Sequence, residues 1–349
     1  MKVAVGLSGG VDSAVAAALL VEQGYQVTGV FLECWNEPGC RTDEDRKDAL
    51  KVALKLKFSF RVLDFKKEYR QRVMDLTYRE FKAGRTPNPD ILCNREIKFG
   101  LFLDWARHVP GKLKFDYIAT GHYAQIKNNK LYQSVDINKD QTYFLALLKE
   151  KQLRRVLFPI GHLLKSQVRR EAKKRGLPVW NKKDSTGICF IGHDLPFKEF
   201  LKRKIKIHKG EVVDKTGRVI GVHDGVEFYT IGQRHGFRVN AKTISSQPLF
   251  VIQKDIYSNR LIVGNKGDLA KKEFYVENWS WISAKGGSAS GRNLQVRIRH
   301  QGKLIPCKVA GRKVILKQVV SGVAPGQVAV IYKMEGSDPS ICLGAGIIG

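Results

Sequence analysis

The chain has 349 residues, which is too long for one ordinary hydrophobic core and predicts about two or three domains. Its formal net charge is +28, from 61 Lys and Arg against 33 Asp and Glu, so we expect a polyanionic partner, with nucleic acid as the first candidate. The six cysteines include no Cys-x-x-Cys pair, which argues against a zinc ribbon, an iron–sulfur cluster or a secreted disulfide framework.

Composition leaves some alternatives open. Basic charge can also serve solubility, and it does not separate RNA from DNA or from an anionic membrane. The apolar run at residues 14–21 is too short to cross a bilayer, and no signal peptide follows Met1. The sequence therefore predicts a cytoplasmic protein.

Strand and helix signals alternate along the first half of the chain. Apolar strands are predicted at residues 2–5, 26–32, 59–63 and 117–120. Helices are predicted at residues 13–22 and 68–83, with another that Thr42 caps and that carries Asp45 three residues later. This alternation is typical of an α/β fold with a parallel, doubly wound sheet, which binds ligands at the carboxyl ends of its strands.

The pattern changes after about Asp194. Short β-rich runs separated by turns follow, including those at residues 274–282, 294–300, 304–309, 313–316 and 327–332. Strands at this spacing indicate a small barrel or a sandwich in the second half of the chain.

The loop between the first strand and the first helix reads Gly6-Leu7-Ser8-Gly9-Gly10-Val11-Asp12-Ser13. Glycines let backbone N–H groups converge on one anion, and the helix N-terminus adds a positive dipole. A carboxylate beside phosphate requires a cation, so Asp12 predicts Mg²⁺ bridging it to a pyrophosphate. Neither the Walker ending nor the Gly-x-Gly-x-x-Gly fingerprint is present.

Two cysteines lie in basic stretches. The first stretch reads Thr86-Pro87-Asn88-Pro89-Asp90-Ile91-Leu92-Cys93-Asn94, and its prolines predict an extended turn that presents Asp90 and Cys93. Four nearby cations would favour a thiolate at Cys93: Lys82, Arg85, Arg95 and Lys98. Taken alone, a cysteine in a basic loop is more often incidental than catalytic.

The second stretch reads Lys182-Lys183-Asp184-Ser185-Thr186-Gly187-Ile188-Cys189-Phe190-Ile191-Gly192. Basic residues and a glycine turn lie near Cys189, which favours reactivity. A buried apolar cysteine between Ile188 and Phe190 is an equally good interpretation of these residues alone.

Together these motifs resemble the tRNA-specific 2-thiouridylases (the MnmA/TrmU family) within the PP-loop ATP pyrophosphatases. The resemblance covers nearly the whole chain, and its further blocks read Ala119-Thr120-Gly121-His122-Tyr123-Ala124, Lys139-Asp140-Gln141-Thr142-Tyr143-Phe144-Leu145, Thr230-Ile231-Gly232-Gln233-Arg234-His235-Gly236 and Ala324-Pro325-Gly326-Gln327. It implies an adenine nucleotide α-hydrolase-like catalytic domain at residues 1–195, a small central β-rich domain at 196–268 and a tRNA-binding β-barrel at 269–349.

The activity that the resemblance implies is ATP-dependent 2-thiolation of the wobble uridine (U34) of tRNA. The uracil C2 oxygen would be adenylated, and sulfur would come from a cysteine persulfide that a donor protein charges. Cys189 would carry the persulfide, Cys93 would pair with it and release the sulfur, and Asp90 would act on the target base as an acid or a base.

The resemblance also implies binding residues. The ATP site would consist of Gly6, Leu7, Ser8, Gly9, Gly10, Val11, Asp12, Ser13, Leu32 and Gly121. The tRNA contacts would be Asn88, Pro89, Asp90, His122, Lys139, Asp140, Gln141, Arg299, His300 and Gln327. No metal site built from protein side chains is predicted, and Cys34 and Cys40 receive no role.

Two rival functions remain open. A PP-loop amide-forming enzyme or ligase acting on a small metabolite would use the same loop without either cysteine, and a non-catalytic RNA-binding protein would release no pyrophosphate. A cluster-dependent thiolase is disfavoured by the missing Cys-x-x-Cys pair. The sequence does not specify the tRNA species, the sulfur donor, the order of the persulfide and disulfide steps, or the oligomeric state.

Overall fold

The computed structural model describes residues 1–37, 40–110, 114–184, 197–240, 247–283, 293–335 and 340–349. The strands within these ranges are β1 (Lys2–Gly6), β2 (Gln26–Glu33), β3 (Ser59–Asp64), β4 (Tyr117–Thr120), β5 (Ala124–Lys127), β6 (Lys130–Gln133), β7 (Val156–Leu157), β8 (Gly210–Val213), β9 (Val219–His223), β10 (Arg238–Val239), β11 (Phe250–Asp255), β12 (Arg260–Gly264), β13 (Ala270–Trp281), β14 (Leu294–Arg297), β15 (Ile305–Ala310), β16 (Lys313–Ser321), β17 (Val328–Lys333) and β18 (Ile341–Ile348).

The helices are α1 (Val11–Glu22), α2 (Thr42–Lys55), α3 (Lys66–Tyr69), α4 (Asp75–Lys82), α5 (Pro89–Cys93), α6 (Phe102–His108), α7 (Thr142–Leu145), α8 (Glu150–Leu153), α9 (Lys165–Lys174) and α10 (Phe197–Lys202). π-Helical turns at Arg70–Met74 and Asn94–Leu101 link α3 to α4 and α5 to α6. Short 3₁₀ turns occupy Val226–Phe228 and Lys266–Leu269. No helix among the described residues combines the length and the apolar character that crossing a bilayer requires.

A five-stranded parallel sheet forms the centre of the N-terminal region, in the order β3-β2-β1-β4-β7. Alternate residues of β1 supply opposite faces: Val3 and Val5 pack in one hydrophobic cluster, and Ala4 packs in another. The predicted parallel, doubly wound sheet is confirmed. The chain leaves β1 toward β2 on one side and reaches β4 on the other, so the crevice for a ligand opens at the carboxyl ends of these strands.

One local prediction was wrong, and one predicted helix contains a π-helical turn. Thr42 is the first residue of α2 and does not cap it, because its hydroxyl donates to the carbonyl of Trp35 at 2.6 Å. The helix predicted at residues 68–83 is a continuous run of α3, a π-helical turn and α4. π-Helical turns are rare and often occur at functional sites.

The second half of the chain forms two β-rich units. The first is a mixed sheet in the order β10-β9-β8-β12-β11. In the second, β13, β16, β15, β14, β17 and β18 pair antiparallel in that order, and β18 pairs back with β13. The ring of six strands is therefore closed, which confirms a C-terminal barrel. Closure leaves no exposed edge within the ring.

A hairpin of the N-terminal region extends this barrel sheet, which the sequence did not predict. Strands β5 and β6 pair with each other, and β6 pairs with β18 through Tyr132 opposite Ile341 and Leu131 opposite Cys342. The barrel is therefore hydrogen-bonded to the segment that immediately follows β4.

A buried ion pair lies close to this junction. The Arg297 guanidinium donates to Asp140 Oδ2 at 2.7 Å, and the two side chains are only 5% and 0% exposed. Asp140 also accepts from the backbone N–H of Ser134 and from the hydroxyl of Thr142. A buried charge that loses its partner is costly, so this pair ties the barrel firmly to the N-terminal region.

We expect Asp140→Asn to lower the free energy of unfolding by about 3–5 kcal/mol, because it leaves the buried Arg297 charge without its counter-ion. Urea unfolding followed by circular dichroism measures the change. The matched control is Arg154→Ala, which removes an exposed pair with Glu150 and should cost less than about 1 kcal/mol. Equal losses in the two variants would contradict the assigned role of the buried pair.

Candidate functional site

The loop between β1 and α1 has the geometry of an anion site. Gly9 has φ +71°, and a Cβ there would lie 2.2 Å from the carbonyl oxygen of Asp45, so only glycine fits. Gly10 precedes α1 without a side-chain cap, which leaves the first N–H groups of the twelve-residue helix available to a ligand. The Ser13 hydroxyl donates to the Gly10 carbonyl at 3.1 Å and accepts from the N–H of Ser8 at 3.2 Å.

A cavity of about 360 Å³ opens at the carboxyl ends of β1, β2 and β4. Nine of the ten predicted ATP-site residues line it, namely Gly6, Leu7, Ser8, Gly10, Val11, Asp12, Ser13, Leu32 and Gly121. The predicted site residues Asp90, Cys93, His122, Lys139 and Gln141 line the same cavity. The structure therefore brings the glycine loop together with one predicted catalytic cysteine and the predicted catalytic carboxylate.

The carboxylate of Asp12 accepts hydrogen bonds from two side chains of the protein. It accepts from Lys165 Nζ at 2.7 and 2.9 Å and from the Tyr123 hydroxyl at 2.9 Å. The same ammonium lies 2.9 Å from Asp184, which also pairs with Lys139. Burial alone would raise the pKa of Asp184, but hydrogen bonds from Lys165 and Lys139 hold it well below its ordinary value.

A second lysine, Lys182, forms hydrogen bonds with both the glycine loop and α2. Lys182 Nζ donates to the Gly9 carbonyl at 3.0 Å and to Asp45 and Asp48 of α2 at 2.7 Å each. The backbone of the anion loop is therefore held by α2 through direct packing of Gly9 and through this lysine. Lys182 lies seven residues before Cys189 in the chain.

Asp90 and Cys93 lie on a short helix, which corrects the predicted extended turn. Asn88 precedes α5 and its side-chain oxygen accepts from the N–H groups of Asp90 and Ile91, while Pro89 occupies the first helical position. Proline suits that position because the missing N–H has no helical acceptor there. Asp90 and Cys93 are three residues apart, so they share one face of the helix.

Asp90 and His122 both line the cavity, and burial is the main cause of the shift in the pKa of each. Burial raises the pKa of the half-buried Asp90 to about 6, with the Lys98 ammonium opposing that shift. Burial, reinforced by Lys98, lowers the pKa of His122 well below its ordinary value. A carboxyl group that titrates near neutral pH can both donate and accept a proton at working pH.

Cys93 is 8% exposed and belongs to an aromatic-rich cluster with Trp35, Tyr69 and Phe200. The four cations predicted near it are placed differently from one another. Arg85 pairs with Glu80 and Arg95 pairs with Glu96, while Lys98 lines the cavity with Cys93.

Both β-rich units hold the segment that leads to Asp90. A Cβ at Gly84 would lie 2.3 Å from Ile256 of the central unit, so that contact is close. The hydroxyl of Thr86 lies 3.1 Å from that of Thr230, and its N–H donates to the Pro325 carbonyl at 2.9 Å. The Gln327 amide donates to the Thr86 carbonyl at 3.1 Å.

The remaining predicted tRNA contacts occupy different environments. Asp140 is inside the molecule, where protein groups occupy its carboxylate. Arg299 is exposed next to His300, whose ring lies 4.2 Å from that of Phe144. Gln327 is half-buried at the Thr86 contact. Cys189 lies outside the described residues, whereas Asp184 and Phe197, which flank that stretch, are described.

Several cavity residues were missed by sequence reasoning. Lys165 is the first residue of α9, 153 positions from Asp12, and no local pattern indicates that these side chains meet. Trp35 and Cys34 follow β2, and Tyr123 follows β4. Their only sequence signal is position, since residues just after parallel strands lie at the ligand-binding edge.

Comparison with known proteins gives three family models in chain order. They are the tRNA methyl transferase HUP domain at residues 1–193, the tRNA methyl transferase PRC-barrel domain at 198–265 and the aminomethyltransferase beta-barrel domain at 271–348. The chain is 43% identical to tRNA-specific 2-thiouridylase MnmA of Shewanella sp. (strain MR-4) over 365 residues, covering 99% of this chain and 95% of the relative. The Shewanella halifaxensis protein of the same name is 42% identical over 364 residues, with the same coverage.

Likeness to solved structures is much weaker. U34-tRNA thiolase NcsA from Methanococcus maripaludis is 17% identical, with a TM-score of 0.37 over 54% of this chain and 61% of that one. A 4-thiouridine synthetase in an RNA complex with bound ATP is 16% identical, with a TM-score of 0.32 over 58% and 50%. Similarity at this level does not bear on the function of this chain.

We expect Gly121→Ala to weaken ATP binding at least about tenfold, a loss of about 1.4 kcal/mol. The new Cβ would lie 2.5 Å from the Ser13 nitrogen and 2.6 Å from the Asp12 carbonyl carbon, so the N-terminus of α1 must shift. Isothermal titration with ATP measures the effect. Gly267→Ala, whose Cβ would meet only Asn265 at 3.2 Å, is the control and should bind like the wild type.

We expect the contribution of Asp90 to the free energy of unfolding to fall between about pH 4 and pH 6, where Asp90 loses its proton, whereas buried histidines such as His122, whose pKa is lowered, act in the opposite direction. The folded-state pKa of Asp90, about 6, exceeds the ordinary value of 3.8, so its stabilising contribution is complete at low pH and lost as pH rises through 6. Partial exposure keeps this below about 3 kcal/mol. Urea unfolding across this range should show the free energy of the wild type falling relative to that of Asp90→Asn, and a difference that does not change with pH would contradict the raised pKa.

Proposed function

Because this chain belongs to the tRNA-specific 2-thiouridylase family, we propose that it is a tRNA sulfurtransferase that replaces the C2 oxygen of the wobble uridine (U34) with sulfur at the expense of ATP. The observation that carries the proposal is one cavity that is lined by the anion-binding loop and by Asp90 and Cys93. A nucleotide phosphate, a uracil ring and a thiol can therefore meet in a single space.

ATP would bind with its phosphates at the N-terminus of α1. The open N–H groups of the loop and the hydroxyls of Ser8 and Ser13 supply donors, and the helix dipole favours the negative charge. Leu32 and Gly121 line the same cavity and would contact the adenosine. The close approach of Gly121 to the α1 backbone explains why no side chain is tolerated there.

Mg²⁺ is part of the proposal, and Asp12 is the carboxylate that would hold it. Mg²⁺ often binds one carboxylate together with substrate phosphates and water, which fits this site. The described residues contain no group of three or more His, Cys, Asp or Glu that could hold a metal ion. When bound, Mg²⁺ would neutralise phosphate charge, and Lys165 already provides one ammonium beside Asp12.

Activation of the base requires a good leaving group at C2. The C2 oxygen of uracil would attack the α-phosphate of ATP, releasing pyrophosphate and forming an O-adenylate. Asp90 would lie against the base and exchange a proton with it, and its pKa of about 6 suits either direction. Sulfur would then attack C2, and AMP would leave with the former carbonyl oxygen.

Sulfur would reach the base from a persulfide on Cys189. A thiolate at Cys93 would attack the inner sulfur of that persulfide, form a disulfide and release the terminal sulfur to C2. Support for Cys93 is its position in the cavity beside Asp90 and Lys98. The role of Cys189 rests on the family motif, and charging it would require a separate persulfide-donor protein.

The tRNA would lie across all three units, which we assign to residues 1–195, 196–268 and 269–349. Lys139, Gln141 and His122 line the cavity entered by the base. Arg299, His300, Gln327, Asn88 and Pro89 would contact the RNA outside it, and Asp140 would act by holding its neighbours in place. The net charge of +28 favours this polyanion.

The rival small-metabolite ligase is tested by cysteine replacement. We expect Cys93→Ser and Cys189→Ser each to reduce 2-thiouridine formation to background while ATP binding stays within about twofold. Cys307→Ala is the control, because burial in the barrel raises the pKa of this thiol to about 12 and removes it from the chemistry.

The assay combines the protein, ATP, a tRNA transcript and a chemical persulfide donor, with nucleoside mass spectrometry as the readout. This readout distinguishes sulfur replacement from methylation, which two of the family-model names mention. A wild type that forms no 2-thiouridine, with pyrophosphate release that persists in both cysteine variants, would favour the ligase. A wild type that binds ATP and tRNA but never releases pyrophosphate would favour the non-catalytic RNA-binding alternative.

A further inference from the structure

A second cavity of about 360 Å³ lies beside the first and has no role in the chemistry described above. Trp35 and Tyr78 contribute aromatic walls. Four exposed cations line it, namely Arg70, Arg79, Lys82 and Lys204. The cavity therefore combines an aromatic surface with positive charge.

One helix face supplies half of the lining. Asp75, Tyr78, Arg79 and Lys82 occupy positions i, i+3, i+4 and i+7 of α4, which share one face of a helix. Arg70 comes from the π-helical turn that runs directly into α4. Three of the four cations, Arg70, Arg79 and Lys82, thus come from one continuous helical segment.

Most cations described above form ion pairs with carboxylates, whereas within the described part of the chain these four do not. Among the residues that the structure describes, none of the four has a carboxylate within 4.0 Å, although two carboxylates, Glu37 and Asp75, also line the cavity. The lining therefore has a net charge of +2. Charge that is not neutralised within the protein favours an anionic ligand.

The Tyr78 hydroxyl provides a second, independent observation. Its oxygen is buried and has no hydrogen-bond partner among the described residues. Leaving such a donor unpaired is unfavourable, so an acceptor that reaches it would be stabilising. Burial raises the pKa of Tyr78 to about 12, so the hydroxyl keeps its proton and can donate to an acceptor.

Trp35 forms a wall of both cavities. Its carbonyl is held by Thr42, and its indole ring packs against Phe200 at 5.7 Å between ring centroids. Phe200 in turn stacks on Tyr78 at 6.3 Å. Trp35 is therefore a wall that the second cavity shares with the cavity of Asp90 and Cys93.

We propose that the second cavity binds a backbone phosphate of the RNA strand next to the nucleotide whose base enters the first cavity. This inference rests on the proposed function, since it names a further contact for the same substrate. Arg70 and Arg79 present forked donors that match phosphate oxygens, Lys82 and Lys204 add point charges, and Tyr78 donates a neutral hydrogen bond. A cationic groove with aromatic walls is the usual combination for single-stranded RNA.

The test measures the affinity of the full-length protein for a fluorescent anticodon stem–loop RNA by anisotropy at several salt concentrations. We expect the double variant Arg79→Gln/Lys82→Gln to bind about tenfold more weakly. The slope of log K against log salt should fall by about 0.7 for each phosphate that the variant no longer neutralises. The control is Lys151→Gln/Arg154→Gln, on α8 and at its C-cap, which removes the same charge at the same spacing and should change affinity less than about twofold.

Tyr78→Phe distinguishes a role in RNA binding from a purely structural role of the hydroxyl group. It should raise the melting temperature, because it removes the unpaired hydroxyl, and weaken RNA binding about threefold. Wild-type affinity in both the double variant and Tyr78→Phe overturns the proposal. The proposal is also overturned if the variants bind RNA normally but receive sulfur more slowly from a donor protein. That result would indicate that the cavity binds an acidic surface of the donor protein.

Failure of this inference can be distinguished from failure of the proposed function. If the double variant loses RNA affinity while the wild type forms no 2-thiouridine, the phosphate site stands and the proposed function fails. If the wild type forms 2-thiouridine and the double variant matches it in affinity and salt dependence, the function stands and the phosphate site fails.

Discussion

The arrangement of the site depends most directly on the buried ion pair between Asp140 and Arg297. Because Asp140 is fixed against the barrel, its two sequence neighbours take defined directions: Lys139 reaches Asp184, and Gln141 lines the cavity. Three consecutive residues thus connect the barrel, the wall of the cavity and the charge network beside the anion loop. The position of the barrel and one wall of the cavity therefore depend on the same short segment.

Two aspartates that line this cavity, Asp184 and Asp90, have pKa values that are shifted in opposite directions. Asp12 and Asp184 share the ammonium of Lys165. Burial alone would raise the pKa of Asp184, but hydrogen bonds from Lys165 and Lys139 hold it well below its ordinary value. Asp90 is instead partly buried with only the more distant field of Lys98, so its pKa rises to about 6. The environment therefore separates carboxylates that organise the loop from the one that can exchange protons with a substrate.

The parts of the fold that the sequence predicted are those encoded by local patterns. Strand and helix periodicity indicated the parallel sheet, and the loop at residues 6–13 indicated an anion site, because glycines and a helix start act within a few residues. Predictions that depended on competing contacts failed. Thr42 could cap α2 by propensity, but the distant Trp35 carbonyl takes its hydroxyl, and the prolines near Asp90 begin a helix because Asn88 caps it.

The sequence by itself determined the change from an α/β sheet to a β-rich second half and the glycine loop before α1, since each is a feature of neighbouring residues, whereas Asp90 and Cys93 were singled out by the family resemblance. Only the tertiary structure decided that Lys165 meets Asp12 across 153 positions and that β6 joins the barrel sheet. Only it placed the cations around Tyr78 beside Trp35. Contacts between distant segments depend on how whole elements pack, and no periodicity within one element encodes its partner.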